Sequence, residues 1–600
     1  MTTYVIDFET TYGSTNTLIK HSIEEYIRNP LFEVIGMGAV PLGHNCEAVW
    51  LTGNAIISWL DRANDSALVA HHAQFDGFIL NQVYGINPAY WYDTLSMARA
   101  VYPRFDRHSL EFLADVLALG TPKSVPYNLF RDKTLAEINA VPGLQTQIGQ
   151  GSLHDCQLTA NLFRFLKPRV PQSELDLINH TVRLFTEPVL VGDREILQEA
   201  LEAAIYEREN LPAKLGLDMS VLLSDRKFAT LLRGHGVEVP QKLSLRTGKT
   251  TYALAKGDVK FLALKEHSDE SIRNLINARI SAKTSIGETR AARLLSASSR
   301  GPIPVYLRYY GGHTGRFSGG DKLNLQNLPR GSKLRKAVKS PVGYTLVWGD
   351  LSQIECRILA WVAGANKLLT AFKDGRDVYS EFGTTAFNQK ISKEHTPDLR
   401  YVAKKVVLGC GYGVGRDKFY NTLVTEGKKI DRQLSNKLVQ TFREEYWQIP
   451  ALWKAGDRVL EALYKSKNNE VQYIKYGNLT LELQGKKVML PNGLYLDYED
   501  IAQDDHGDFW SHGRKLWGGA FTENYIQALA RIKITDSWLA LEEENVHIVH
   551  QVHDELISCV KLIDCTDTAA IMEYILTEPV PWIPGLPLAC EVEWGESYGK

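Results

Sequence analysis

The feature that most constrains this chain is a carboxylate placed at the end of an apolar, strand-like run, and it occurs in three places. Residues 344–359 read YTLVWGDLSQIECRIL, where an apolar strand, Thr345 to Trp348, runs into Asp350 and is followed by Ser352, Gln353, Glu355 and Arg357. Residues 547–560, HIVHQVHDELISCV, alternate as hairpin strands do, with His553, Asp554 and Glu555 at or near the turn. The N-terminal YVIDFET reads as a buried strand over Tyr4, Val5 and Ile6 before a turn, with Asp7 and Glu9 at its end. Side chains at i and i+2 leave a strand on the same face. Two carboxylates that close repel each other unless a cation lies between them, which makes Asp7 and Glu9 a candidate divalent-metal site. Two later segments add to it: Asp76 follows Phe75 in HHAQFDGFIL, and Asp155 opens a helix in SLHDCQLTANLF. Four carboxylates from three segments suit two Mg²⁺ ions about 3.5–4 Å apart, a pair that activates water and steadies the leaving oxygen of a phosphodiester.

A chain of 600 residues can hold two to four domains. Strand-like and helical patterns alternate to about residue 170, the pattern of an α/β domain, and Pro168 and Pro171 break it. Residues 173–300 are mostly helical and charged, interrupted by KLSLRTGKTTYALAKGD, a loop or hairpin. The Gly-rich GGHTGRFSGGDK follows, and the remainder mixes strands with long helices. No stretch reaches the roughly 18 apolar residues of a membrane helix, and Asp7 and Glu9 stand where a secretory signal would need its apolar core. The seven cysteines (Cys46, Cys156, Cys356, Cys410, Cys559, Cys565, Cys590) form no CxxC pair, so a disulfide framework and a zinc site are both disfavoured and a reducing, cytoplasmic setting is expected. Net charge is −2, but Lys333, Arg335, Lys336 and Lys339 cluster, as do Lys390, Lys393, Arg400, Lys404 and Lys405. Local basic grooves beside acidic metal sites give this balance without a basic total.

The order D-x-E, H-x-A-x-F-D, D-x3-T resembles the proofreading exonucleases with an Asp-Glu-Asp-Asp metal set, with Asp7, Glu9, Asp76 and Asp155 in the matching positions. The resemblance implies 3′→5′ exonuclease activity. One departure stands out: such enzymes carry a tyrosine four residues before the last aspartate or a histidine five before, and here these are Gly151 and Gln150, with His154 at a different offset.

The Asp350 segment resembles the first palm motif of family A, the DNA polymerase I-like enzymes, with Leu351 replacing the usual tyrosine. Arg400-x3-Lys404-x3-Leu408-x3-Tyr412-Gly413 places residues along one slowly drifting helix face and matches the fingers helix, with Leu408 where an aromatic is usual. Gln551-Val552-His553-Asp554-Glu555 matches the third motif. Weaker matches follow the family's order: TGRFS with Arg316, NLQNLP with Gln326 and Asn327, Arg335, LPNGLYLDY, and GGAFTENYIQALAR with Gln527 and Arg531. The resemblance covers nearly the whole chain and implies the fold and the roles. The fold class is α/β multidomain: a ribonuclease H-like exonuclease domain (1–172) ahead of a right-hand polymerase. In the polymerase, 173–300 form the thumb and connecting region, 301–370 the first part of the palm, 371–445 the fingers and 446–600 the second part of the palm. Asp350 and Asp554, with Glu555 as a further catalytic carboxylate, serve two Mg²⁺ ions, with Mn²⁺ as substitute. Glu355 excludes a 2′-hydroxyl, Arg400 and Lys404 bind the triphosphate with Leu408 and Tyr412 beside them, and Lys404 protonates the leaving group. Arg316, Gln326, Asn327, Arg335, Gln527, Arg531, Gln551 and His553 face DNA.

Expected ligands are primer–template DNA and dNTPs, with helicase, primase and processivity partners unspecified, no membrane, and a monomeric state. An exonuclease motif beginning at residue 7 leaves no room for a preceding 5′-nuclease domain, and the thumb-like features point to a phage replicative enzyme in its host's cytoplasm. A single-subunit RNA polymerase is disfavoured by Glu355 within S-Q-I-E and by the exonuclease-like segment. A nuclease or scaffold with an inert second half is disfavoured by the retention of Asp350, Arg400, Lys404 and Asp554.

Overall fold

The computed structural model describes residues 2–43, 48–121, 127–244, 248–428, 430–467 and 470–599. The chain divides into two compact units, one of residues 1–192, 297–364 and 452–600, the other of 193–296 and 365–451.

The first unit contains a five-stranded mixed sheet in the order β3-β2-β1-β4-β5, built from β1 (Thr3–Thr10), β2 (Val34–Pro41), β3 (Val49–Leu51), β4 (Ala67–Ala70) and β5 (Tyr90–Asp93). β1 is central, antiparallel to β2 and parallel to β4. Instead of turning after Ile6, β1 runs on to Thr10, because Phe8, Glu9 and Thr10 stay buried and residues Tyr4 to Thr10 all find partners on β2. Helix α1 (Ala73–Tyr84) packs against the sheet and against α3 (Gln172–Thr186), while α2 (Leu144–Leu166) lies along β1 and β2. Asp155 therefore does not open a helix: it lies midway along one of 23 residues. The polar LQTQIGQGS stretch is helical because Leu144, Ile148, Ser152, Cys156 and Phe163 continue one buried stripe at near-helical spacing. Glycine costs a helix roughly 1 kcal/mol, but a Cβ on Gly149 would lie 2.6 Å from the Trp50 ring, so close packing requires it.

The same unit holds a four-stranded antiparallel sheet in the order β7-β8-β6-β9: β6 (Tyr344–Leu351), β7 (Ile548–Val552), β8 (Glu555–Lys561) and β9 (Cys590–Gly595). β6 continues into α4 (Ile354–Ala363), which packs on the 26-residue α5 (Gly518–Glu543), and α6 (Cys565–Thr577) covers β6 and β9. A Cβ at Gly349 would meet the Leu576 side chain at 2.4 Å, so a larger residue before Asp350 would make Leu576 and Met572 of α6 shift.

The second unit is mainly helical. Leu222, Phe228, Leu232, Phe261, Ile272 and Ile276 form one core, and helices Val378–Phe387, Pro397–Cys410 and Arg432–Glu445 pack together elsewhere in it. KLSLRTGKTTYALAKGD forms a hairpin, Gln241–Leu243 paired with Thr250–Tyr252, although its residues 245–247 lie outside the described set. Cys46 also lies outside it, and the six described cysteines are free thiols. Among the described residues no helix is long and apolar enough to cross a membrane.

Candidate active sites

Because β1 presents alternate residues to one face and α2 lies along it, Asp7, Glu9 and Asp155 converge: one oxygen from each lies within 4.8 Å of the others. The Asp7 carboxylate accepts a hydrogen bond from Ser152 Oγ at 2.8 Å, one turn before Asp155. Asp76, in the first turn of α1, is buried and accepts the Phe8 N–H at 3.0 Å, so it locks the strand between the two acidic residues. Burial pushes Asp7 up to about 7, with Ser152 opposing and Asp155 reinforcing the shift. Glu9 is raised by burial and then by Asp7, Asp155 and Asp76. Asp76 is raised by burial and then by Asp7, and Asp155 rises to about 6 through burial and Glu111. Crowded hard-oxygen donors that resist ionisation together fit a divalent cation, which supplies the missing counter-charge. Gly151 is buried within α2 and Gln150 is exposed. The His154 ring is held by the Thr121 carbonyl, with Nε2 2.8 Å from it.

The second constellation lies at the end of the antiparallel sheet. Asp350 stands opposite Glu555 on β8 and Glu591 on β9. The β7–β8 turn is fastened beside it by the Leu351 N–H on the Asp554 carbonyl at 2.9 Å. His553, at φ 54°, and Gln353, at φ 49°, take the left-handed conformation that makes these two reversals tight. Gln353 thereby brings Glu355 into the first turn of α4. Arg316 pairs with Glu355 and lies 3.8 Å from Asp554, and Arg330 lies 3.3 Å from Asp350. Burial pushes Asp554 up to about 7 against the pull of Arg316, with Glu355 and Asp350 adding to the rise. Asp350 is raised by burial and then by Glu555. Carboxylates that draw in two arginines and still rise are a donor set suited to divalent cations. Arg330 directly follows the NLQNLP stretch, a position that could have marked it.

Several residues expected on DNA point inward instead. Arg335 is 7% exposed: its guanidinium binds Glu555 at 2.9 Å and stacks 3.9 Å over the Tyr598 ring, whose hydroxyl donates to the same carboxylate at 2.5 Å. Glu555 is thus enclosed by its own partners. Arg531 is 3% exposed and makes a two-pronged pair with Glu174 at 2.5 and 2.7 Å. Gln326 and Gln551 are buried and bonded to each other at 3.1 Å. Glu174 lies 357 residues from Arg531 and Tyr598 lies 43 from Glu555, and no local spacing announces either partner. Asn327 and His553 are exposed, and Gln527 is half-buried, its amide 3.4 Å from Glu523.

In the second unit, helix Pro397–Cys410 carries Arg400, Lys404 and Leu408 along one face, the latter two exposed, and Tyr412 sits in the turn beyond. Arg400 grips Asp377 at 2.6 and 3.1 Å, and Asp377 itself caps helix Val378–Phe387. Arg400 and Lys404 lie 5.4 and 5.8 Å over the Tyr379 ring.

Residues 206–469 match the sequence profile of DNA polymerase family A. The chain is 22% identical over 578 residues to DNA polymerase I of Borreliella burgdorferi, covering 92% of this chain and 58% of that one. It is 24% identical over 404 residues to the DNA polymerase of Bacillus phage SP02, covering 59% of this chain and 61% of that one. The chain thus spans about half the length of the curated relatives it matches. Its fold resembles the POL domain of Pol1 from M. smegmatis, solved in complex with DNA primer-template and dNTP, with a TM-score of 0.69 and 18% identity over 99% of this chain and 95% of that one.

Proposed function

We infer that this chain, whose residues 206–469 match the family model of DNA polymerase family A, is a template-directed DNA polymerase of that family, of the phage replicative type, with a 3′→5′ exonuclease. The observation that carries the reading is the convergence of Asp350, Asp554 and Glu355 at the end of β6 and the β7–β8 turn. Divalent cations bound there would lower the pKa of the primer 3′-hydroxyl and neutralise the triphosphate. Asp350 and Asp554 would hold those cations, and in the structure Arg316 and Arg330 balance the carboxylates. Glu355, in the first turn of α4, is the residue proposed to exclude a 2′-hydroxyl on the incoming sugar. Arg400 and Lys404 place cationic donors on phosphate oxygens, and Lys404 is the group suited to protonate the leaving pyrophosphate. Template pairing carries the sequence information, so the protein needs backbone and shape contacts. At the N-terminal site Asp7, Glu9 and Asp155, backed by Asp76, would hold divalent cations, which would supply the charge that hydrolysis at a primer 3′ end requires. The substrates are primer–template DNA and dNTPs, and the reading is of a monomer in the host cytoplasm.

The test is a gel assay with labelled primer–template and Mg²⁺, with and without dNTPs. Asp350→Ala and Asp554→Ala are expected to abolish extension while leaving DNA binding measurable, and Asp7→Asn to abolish shortening without dNTPs. Near-normal extension by either palm variant would refute the assignment.

A further inference from the structure

We propose that Arg316 is a positioning residue for sugar selection: it holds the Glu355 carboxylate in place, so that rejection of a 2′-hydroxyl depends on Arg316 as well as on Glu355. This rests on the reading of Glu355 as the residue that excludes that hydroxyl.

By its chemistry a carboxylate is a good acceptor for a hydroxyl. A glutamate free to turn would accept a hydrogen bond from the 2′-hydroxyl and admit the ribonucleotide, or swing aside about its own torsions. It excludes the hydroxyl only where its oxygens are engaged and its rotamer is fixed. Arg316 does both. Its Nη2 bonds Glu355 Oε1 directly, and the same nitrogen lies 3.8 Å from Asp554 Oδ1. One guanidinium thus ties Glu355 to a metal-type carboxylate at the end of the sheet. Its N–H groups form a rigid fork that can face two carboxylates at once, where an ammonium is a point charge.

Both partners stand on stiff mounts. Glu355 lies in the first turn of α4, between the buried Ile354 and Cys356. Arg316 stands at the end of a tight turn. The Gly315 N–H bonds the Gly312 carbonyl at 2.9 Å, and the Gly312 N–H bonds the Arg316 carbonyl at 3.2 Å. Gly315 takes φ 80°, and a Cβ there would lie 3.0 Å from Tyr310 Cζ. Thr314 and Phe317, both buried, anchor the turn on either side of Arg316, and the Phe317 ring packs 5.8 Å from those of Tyr309 and Trp538. The Arg316 and Glu355 side chains are 31% and 23% exposed, so the pair is open to a nucleotide yet partly shielded from water.

The experiment measures kcat/KM for one dNTP and the matching rNTP on the same primer–template. It uses the full chain as wild type, Glu355→Ala, Arg316→Ala, Arg316→Gln and the Glu355→Ala/Arg316→Ala double variant. Arg316→Ala is expected to raise the rNTP-to-dNTP ratio on the order of 10-fold. Arg316→Gln, which keeps a donor, should raise it less, and Glu355→Ala more. The double variant is expected to match Glu355→Ala, because a residue that acts through Glu355 then has nothing to act on. A merely structural loss lowers both substrates together and leaves the ratio where it was. For a variant that extends too slowly, the same ratio is taken from rNTP and dNTP affinities in ternary complexes on a dideoxy-terminated primer. Wild-type ratios in both Arg316 variants, beside a raised ratio in Glu355→Ala, would overturn the proposal alone. So would an Arg316→Ala effect of equal size with and without Glu355, since Arg316 would then act on the sugar or the primer by itself. An unchanged ratio in Glu355→Ala would overturn the reading of Glu355 and the proposal with it.

Discussion

Glu174→Ala offers the sharpest check on how the first unit is held together. Glu174 is 1% exposed and Arg531 3%. The Glu174 carboxylate accepts from Arg531 at 2.5 and 2.7 Å, from Asn492 at 2.6 Å and from the Tyr309 hydroxyl. Both charges have left water, and each makes the other tolerable: burial alone would raise Glu174, yet Arg531 holds it low. Removing the acid strands a guanidinium with only the faces of Tyr309, Tyr310 and Phe317, 5.4–5.8 Å away, for company. Breaking one partner of such a pair costs about 3–5 kcal/mol. The loss of the Asn492 and Tyr309 bonds puts Glu174→Ala at the upper end of that range, and Glu174→Gln, which keeps part of them, at the lower. The assay is urea unfolding of the full chain, read as a midpoint shift at constant slope. The double variant Glu174→Leu/Arg531→Met replaces the pair with apolar groups and is expected to regain most of the stability. Its primer–template affinity should keep the wild-type salt dependence, because Arg531 is interior. A Glu174→Ala cost below about 1 kcal/mol would refute the buried-pair argument. A double variant whose salt slope falls by about one would return Arg531 to the DNA.

Glu355→Ala should admit ribonucleotides, seen as a raised rNTP-to-dNTP incorporation ratio. An unchanged ratio would remove Glu355 from sugar selection. The raised carboxylates predict a pH dependence for the metal-free chain. Asp7 and Asp554 rise from 3.8 to about 7 and Asp155 to about 6, so the folded state holds these protons more tightly than the unfolded chain does. Their stabilising contribution is complete below about pH 4 and is lost as pH rises through 6 to 7. In EDTA the Tm should fall between pH 5 and 8, and Mg²⁺ should offset the fall at pH 8 more than at pH 5. A Tm in EDTA that is flat over this range would contradict the burial of these groups.

The metal-type residues were legible because their signals are short-range. A strand puts Asp7 and Glu9 on one face, a hairpin puts Asp554 at its turn, and an apolar run ends at Asp350; each needs only neighbours in the chain. The position of Asp155 within its helix was less so, since Gly149 and Gly151 suggest a break until Trp50, brought in by another strand, fills the space a Cβ would occupy.

Charge and residue type were poor guides to the inside of the fold. Arg335, Arg531, Gln326 and Gln551 read as surface groups for DNA, yet all four are buried against partners that no spacing reveals. Local pattern determined which carboxylates this chain carries at its strand ends and therefore what chemistry it can attempt. Tertiary structure decided which arginines face them and which arginines are spent inside the core. A buried charge takes its partner from whatever the fold brings within a few ångströms, and that distance is independent of separation along the chain.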